Sequence, residues 1–291
     1  MHLKASELIL NPNGSVYHLN LLPEHVAPTI ITVGDPTRVT QVTNSFDTIE
    51  FTTQNREFHT QTGTYKGKRI TVISTGIGTD NIDIVLNELD ALVNIDLKKR
   101  IVKSKITSLD IIRIGTSGAL QKNTPLNTFL ISEYAVGFDS LLHFYDSAHI
   151  QHLKISEAIK QQTNWFHRKS DPYVVKCSDQ LLKTFSSNNT SIGFTATNNG
   201  FYGPQGRILR IPVQDQKLND KLAKFNFEGK IITNLEMETA GIYGISNLLG
   251  HNAISLNAII ANRATGIFSD NPKSVIDDLI KYTLNKIVTK S

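Results

Sequence analysis

The sequence predicts an α/β fold, with helices packed on a mixed, largely parallel central sheet. Three observations predict it. Short β-branched runs alternate with segments whose apolar residues recur at helical spacing. Three of these runs lead into glycines, at Gly34, at Gly76 and Gly78, and at Gly115 and Gly118, as strands of open α/β sheets do at their ligand-facing ends. Of 291 residues, 40% are hydrophobic and 19% charged, enough for a sizeable core within one large domain.

The elements follow in order. Residues 29–33 are β-branched throughout and stop at Gly34-Asp35-Pro36, a turn signal, so residues 37–46 are expected as a helix. Residues 69–74 read as a strand running into Thr75-Gly76-Ile77-Gly78. Ile82, Val85, Leu86, Leu89 and Val93 then keep a helical period. A third strand, 110–114, is expected to close at Gly115-Thr116-Ser117-Gly118. Residues 128–132, 191–195, 231–235 and 253–261 read as further strands, and 239–249 and 272–288 as helices, the last with Pro272 at its start. Residues 98–108 are polar and basic and read as a surface insertion, whereas 151–187 show no clear period. No repeat, low-complexity tract or linker divides the chain, so a single domain over 1–291 is expected.

Composition excludes several classes. A net charge of +4 and a pI near 9.0 are mild for this length, and Lys98-Lys99-Arg100 is too short for a nucleic-acid tail. Cys177 is the only cysteine, so neither an intrachain disulfide nor a cysteine-based zinc site can form. His143, His149 and the other histidines lack metal-ligand spacing. The residues from Met1 to Glu7 contain no signal-peptide apolar region, and no apolar run reaches membrane-spanning length. A soluble, cytoplasmic protein without membrane or nucleic-acid partners is the expectation.

Two features carry chemistry. Glu236 and Glu238 flank Met237 directly after an apolar run. Carboxylates there are costly to desolvate, and a pair of acceptors suits a vicinal diol such as that of a ribose. The competing reading is a solvated strand-to-helix junction, with Glu238 favourably placed at a helix N-terminus. The second feature is arginine near the glycines. Arg38 follows Gly34, Arg113 precedes Gly115 with Thr116 beside it, and Arg56 stands among polar residues. A guanidinium beside glycine N–H groups suits an oxyanion, although most arginines make surface salt bridges. Neither a phosphate-loop motif nor a complete dinucleotide fingerprint is present.

Taken together, Gly34-Asp35-Pro36-Thr37-Arg38, Thr75-Gly76-Ile77-Gly78, Arg113-Ile114-Gly115-Thr116-Ser117-Gly118 and Glu236-Met237-Glu238 resemble the nucleoside phosphorylases of the hexameric class. Val16-Tyr17-His18-Leu19, Phe201-Tyr202-Gly203-Pro204-Gln205-Gly206-Arg207 and Asn262-Arg263 are similar to segments of its uridine phosphorylase branch; purine-specific members carry Ser-Asp at the last pair. The resemblance runs in order from about Val16 to about Thr265.

It implies a single-domain three-layer α/β sandwich whose mixed central sheet forms a distorted barrel, assembled as a trimer of dimers. It implies that Gly34, Arg38, Arg113 and Thr116 hold phosphate, completed by Arg56 from a neighbouring subunit. Glu236, Met237 and Glu238 would hold ribose, with His18 of a neighbour on its 5′-hydroxyl. Phe201, Gln205 and Arg207 would hold uracil, with Ile260 and Ala261 beside the base and Arg263 on its leaving-group side. The implied catalytic set is Arg113, Glu238 and Arg263. The implied reaction is reversible phosphorolysis of uridine in pyrimidine salvage, with inorganic phosphate as co-substrate and neither cofactor nor catalytic metal.

There are departures. Some relatives bind a monovalent cation between subunits; Glu57 and Ile77 match that site, but Asn81 stands where a serine is expected. Ala261 replaces a bulkier residue near the base. Three alternatives stand: a purine nucleoside phosphorylase, a hydrolytic nucleosidase on the same fold, and a non-catalytic nucleoside-binding protein.

Overall fold

The computed structural model describes residues 2–289. Met1, Lys290 and Ser291 lie outside the described residues, and with them the first residue of the N-terminal reading and both ends of the 1–291 reading. The strands are β1 (Thr29–Val33), β2 (Thr48–Asn55), β3 (Phe58–Tyr65), β4 (Lys68–Ser74), β5 (Ile95–Asp96), β6 (Ile101–Val102), β7 (Asp110–Ala119), β8 (Phe129–Gly137), β9 (Tyr173–Lys176), β10 (Thr190–Thr197), β11 (Ile232–Glu236), β12 (Asn252–Asn262) and β13 (Ile267–Phe268). The helices are α1 (Pro36–Thr43), α2 (Thr79–Asn94), α3 (Leu153–Thr163), α4 (Asp179–Phe185), α5 (Leu218–Lys224), α6 (Thr239–Leu249) and α7 (Pro272–Thr289).

All strands but β5 and β6 join one eleven-stranded mixed sheet. Five of them close on themselves: β7 pairs β12, β12 pairs β8, then come β10 and β11, and β11 returns to β7. This is the distorted barrel that the resemblance implies. From β7 an open wing extends through β1, β4, β3 and β2. β1 is buried at all five positions and pairs in parallel with both neighbours, as a β-branched run does in a sheet covered on both faces. Val85, Leu86 and Leu89 of α2 pack with Ile242 and Ile245 of α6 in one core cluster. Val39 of α1, Phe185 of α4 and Leu279 of α7 belong to a second.

The main differences from the sequence reading are these. Gly115 to Gly118 do not end a strand. β7 runs on to Ala119 because β12 pairs along it as far as Asn262 and β11 joins at Gly118 and Ala119. The glycines sit within a barrel strand, where a missing side chain admits a close approach. The helix expected over 37–46 stops at Thr43, and the chain turns into β2. β2 and β3 themselves were not expected. β2 is a mostly exposed, threonine-rich edge strand, and β3 buries Thr60 and Thr62 where apolar residues would have signalled it. Residues 151–187 hold α3, β9 and α4. The 98–108 segment is largely exposed, as expected of an insertion.

Cys177 is buried, and burial pushes its thiol up to about 12. Among the described residues no helix is long and apolar enough to cross a membrane.

Candidate active site

A cleft of about 730 Å³ opens where β1, β4, β7 and β11 reach their carboxyl ends. Gly34, Arg38, Arg113 and Thr116 line one part, and Met237 and Glu238 lie beside them. Phe201, Gln205, Arg207, Ile260 and Ala261 line the other. A larger cavity, about 830 Å³, lies behind residues 199–213 and shares Arg207 with the cleft. Only the smaller one joins Glu236 and Glu238 to Arg38, Arg113 and the glycines after β1 and β4, so it is the candidate chemical site.

Arg113 is the centre of the cleft. Its side chain lies along β7 over Gly115, where any Cβ would run into the guanidinium. Nη2 donates to Glu238 Oε2 at 2.5 Å and stands 3.2 Å from Glu236 Oε2. Nη1 donates to Asn257 Oδ1 at 2.9 Å. Burial alone would lower the guanidinium pKa, but the two carboxylates outweigh it and the net shift is upward. Arg38 lies near enough to feel Arg113. Burial, then that like charge, lowers its pKa, and its buried Nε has no hydrogen-bond partner among the described residues. A buried guanidinium with a donor to spare beside a second guanidinium is a receptor for an anion.

The two acids divide their work. Glu236 Oε1 accepts the Thr197 hydroxyl at 2.6 Å. Its Oε2 accepts the N–H groups of Glu238 and Thr239, both at 2.9 Å, and the Thr239 hydroxyl at 2.8 Å. Glu236 thus caps the N-terminus of α6 and faces protein donors with both oxygens. Glu238 Oε1 accepts the Gly78 N–H at 2.8 Å, its other oxygen meeting Arg113. Burial raises the Glu238 carboxyl above its ordinary value; Arg113 opposes the shift and Glu236 adds to it.

At the far end Gln205 is buried. Its Oε1 accepts from Arg207 Nη1 at 2.7 Å, and the Arg207 guanidinium lies 3.7 Å over the Phe201 ring. Arg263 does not line the cleft: it stands behind Gln205, donating to that residue's carbonyl at 3.3 Å and packing near Gly118. Burial, then the charge of Arg263, pulls the Arg207 pKa down to about 10. No ion pair of Arg207 or Arg263 is found among the described residues.

His18 and Arg56 do not line this chain's cleft. They lie close together, because Asn55 Nδ2 donates to the His18 carbonyl at 2.7 Å and Arg56 stands 5.8 Å over the Tyr17 ring. Arg56 is exposed at the two-residue tip between β2 and β3 with φ +55°, a conformation costly for a side-chain-bearing residue. Glu88 accepts the N–H groups of His18 and Leu19 and lies 2.6 Å from His18 Nδ1. Glu57, Ile77 and Asn81 line the cleft, with Glu57 and Asn81 crowding Gly76. No group of three His, Cys, Asp or Glu that could hold a metal exists among the described residues.

Sequence reasoning missed Asn257 and Glu88. Asn257 had a signal: Ser255 and Asn257 alternate with Ile254, Leu256 and Ala258, the period of a strand with one polar face. Glu88 lies among the polar residues of α2 and had none.

A family model described as "Phosphorylase superfamily" matches residues 28–289. The chain is 28% identical over 261 residues to a uridine phosphorylase of Thermococcus kodakarensis, covering 88% of this chain and 80% of that one. It is 24% identical over 283 residues to a purine nucleoside phosphorylase of Psychromonas ingrahamii, covering 94% and 98%. A solved Trypanosoma brucei nucleoside phosphorylase, described as showing uridine phosphorylase activity, superposes with a TM-score of 0.87 at 29% identity, covering 97% of this chain and 99% of that one. The clustered guanidiniums, the buried carboxylates and the amide-bearing end of the cleft thus stand in a fold shared with nucleoside phosphorylases, and the chain belongs to the phosphorylase superfamily as a nucleoside phosphorylase, an enzyme of the pentosyltransferase type acting on nucleoside and phosphate.

Proposed function

We propose that the enzyme is a uridine phosphorylase, converting uridine and phosphate reversibly to uracil and ribose 1-phosphate. The observation that carries this reading is the composition of the base end. Buried Gln205 and the Arg207 guanidinium meet there, whereas the carboxylates lining the cleft, Asp35, Glu57, Glu236 and Glu238, make none of their described contacts with Gln205, Arg207 or Arg263. Gln205 can donate to and accept from a uracil amide edge, and Arg207 can donate to a carbonyl on which negative charge develops. A purine needs an acid near its ring nitrogen to leave easily, and that end supplies none.

Phosphate would sit against the Gly34 N–H, Arg38, Arg113 and Thr116, beneath the anomeric carbon. Glu238 and Met237 would meet the ribose. As the glycosidic bond breaks, positive charge grows on the sugar and negative charge on the base. The held phosphate dianion faces the first, and Arg207, with Arg263 behind Gln205, faces the second. The protein's contribution is positioning and fixed electrostatics. His18 and Arg56, adjacent and away from this chain's own cleft, would complete the site of a second copy in a dimer of a larger homo-oligomer. Glu236 is reassigned from the ribose to the support of Glu238. Work in pyrimidine salvage in the cytoplasm belongs to the same proposal.

The purine reading is favoured by one observation, similarity to purine nucleoside phosphorylases along most of the chain. An ultraviolet assay with uridine, thymidine and inosine, each with and without phosphate, separates the readings. Phosphate-dependent cleavage of uridine well above inosine is expected. Preference for inosine, or full-rate cleavage without phosphate, would overturn the proposal.

A further inference from the structure

The interior of the five-stranded barrel is polar where small barrels are usually filled by aliphatic side chains. Among its polar residues is Asn257 of β12, fully buried and outside the cleft lining. β12 runs parallel to β7 with Ser255 opposite Arg113 and Asn257 opposite Gly115. Because Arg113 lies over Gly115, its guanidinium passes its own register partner and arrives beside Asn257.

The amide of Asn257 can point only one way. Nδ2 donates to Ser132 Oγ and to Ser255 Oγ, both at 3.2 Å, and Oδ1 accepts from Arg113 Nη1 at 2.9 Å. A flipped amide would set two donors face to face with the guanidinium. The serines are themselves held. Ser132 Oγ meets Thr195 Oγ1, which donates to Asn234 Oδ1 at 2.9 Å. Ser255 Oγ meets Thr239 Oγ1 at 2.9 Å, and that hydroxyl donates to Glu236 Oε2 at 2.8 Å. Glu236 Oε2 stands 3.2 Å from Arg113 Nη2, so the path returns to the arginine. Arg113, Asn257, Ser255, Thr239 and Glu236 form a closed circuit.

We propose that Asn257 is a positioning residue for Arg113. The guanidinium is held at both ends, by the amide on Nη1 and by the carboxylates on Nη2. Without the amide, its fork would turn to grip Glu238 with two parallel bonds, the geometry that arginine and carboxylate prefer. It would then be withdrawn from the anion that the cleft receives. This rests on the reading of that anion as phosphate.

The test compares Asn257→Leu, close in volume but without polar atoms, with Asn257→Asp, which keeps an acceptor toward Nη1. Two quantities are read: the thermal shift produced by inorganic phosphate alone, and the KM values for phosphate and uridine. Asn257→Leu is expected to weaken phosphate about tenfold or more while the KM for uridine stays within about threefold, one charge-assisted contact being lost at one end of the cleft. Asn257→Asp restores most of the phosphate affinity. If Asn257→Leu does not fold, Asn257→Ser, too short to reach Nη1, carries the same expectation. A lowered Tm with unchanged phosphate affinity, in Asn257→Leu or in the Asn257→Ser that replaces it, would overturn the proposal and leave the phosphate reading standing. A wild-type enzyme with no phosphate shift would overturn both.

Discussion

Glu238 and Gly78 are joined across the cleft: the carboxylate accepts the glycine N–H at 2.8 Å. Gly78 is the residue from which α2 starts, and Glu238 the one from which α6 starts. The Glu238 carboxylate therefore ties the start of α2 to the start of α6 and, through its other oxygen, to Arg113. Burial raises the Glu238 pKa, while Arg113 and the Gly78 N–H favour its charged form.

Gly115→Ala should damage phosphate binding before it damages folding. The new methyl group would take the space of the Arg113 guanidinium. Loss of that charge-assisted contact is worth about 1.5–3 kcal/mol, so the KM for phosphate should rise roughly ten- to hundredfold. Initial rates at varied phosphate measure this; an unchanged KM would show that Arg113 does not meet the anion.

Gln205→Ala combined with Arg207→Ala should erode base selectivity. A site with buried polar groups rejects a base that leaves them unpaired, and the double variant loses those groups. The ratio of kcat/KM for uridine over inosine should fall by about tenfold or more. A ratio equal to that of the wild type would remove both residues from base recognition.

Mixing two inactive proteins should restore activity if subunits lend residues to each other. An Arg56→Ala chain lacks the residue it gives away, and a Glu238→Ala chain lacks one it keeps. In a heterodimer one site carries both lesions and the other neither. Activity should appear after subunit exchange. Demonstrated heterodimers without activity would mean that Arg56 does not cross to a neighbour.

Asp35→Ala should loosen α1, and with it Arg38. The Asp35 carboxylate accepts the Thr37 N–H at 2.8 Å as the helix N-cap, and that bond holds its pKa below the ordinary value. Removing such a cap costs about 1 kcal/mol. A carboxyl with a depressed folded pKa stabilises fully above its unfolded value of 3.8, and the contribution is lost as pH falls through the folded value. Urea unfolding should therefore separate the two proteins at neutral pH and bring them together in acid. An equal gap at both would refute the capping role.

The sequence displayed what packing demands and hid what hydrogen bonding permits. The run 29–33 and the helix 239–249 were legible to the residue, because burial on both faces forces β-branched or apolar residues to be continuous. β3 was illegible because Thr62 fills the core in place of an aliphatic residue, donating to the His25 carbonyl and meeting Thr71 Oγ1 at 2.8 Å. In the site, Arg38, Arg113 and Glu238 stood out as charges beside glycines and apolar runs. That Glu236 would be consumed by Thr197 and the α6 backbone could not be read, since its partners lie elsewhere along the chain or are main-chain atoms.

Cys177 leaves one practical opening. A thiol that ionises only near pH 12 and sits inside the core will not react with maleimide at neutral pH. Any cysteine introduced on the surface would then be the sole labelling site, with no need for a cysteine-free background. A spin label at Lys105, on the exposed insertion, would test the proposed association of copies and report the distances between them. The proposed assembly could thus be tested in solution without touching a residue of the cleft.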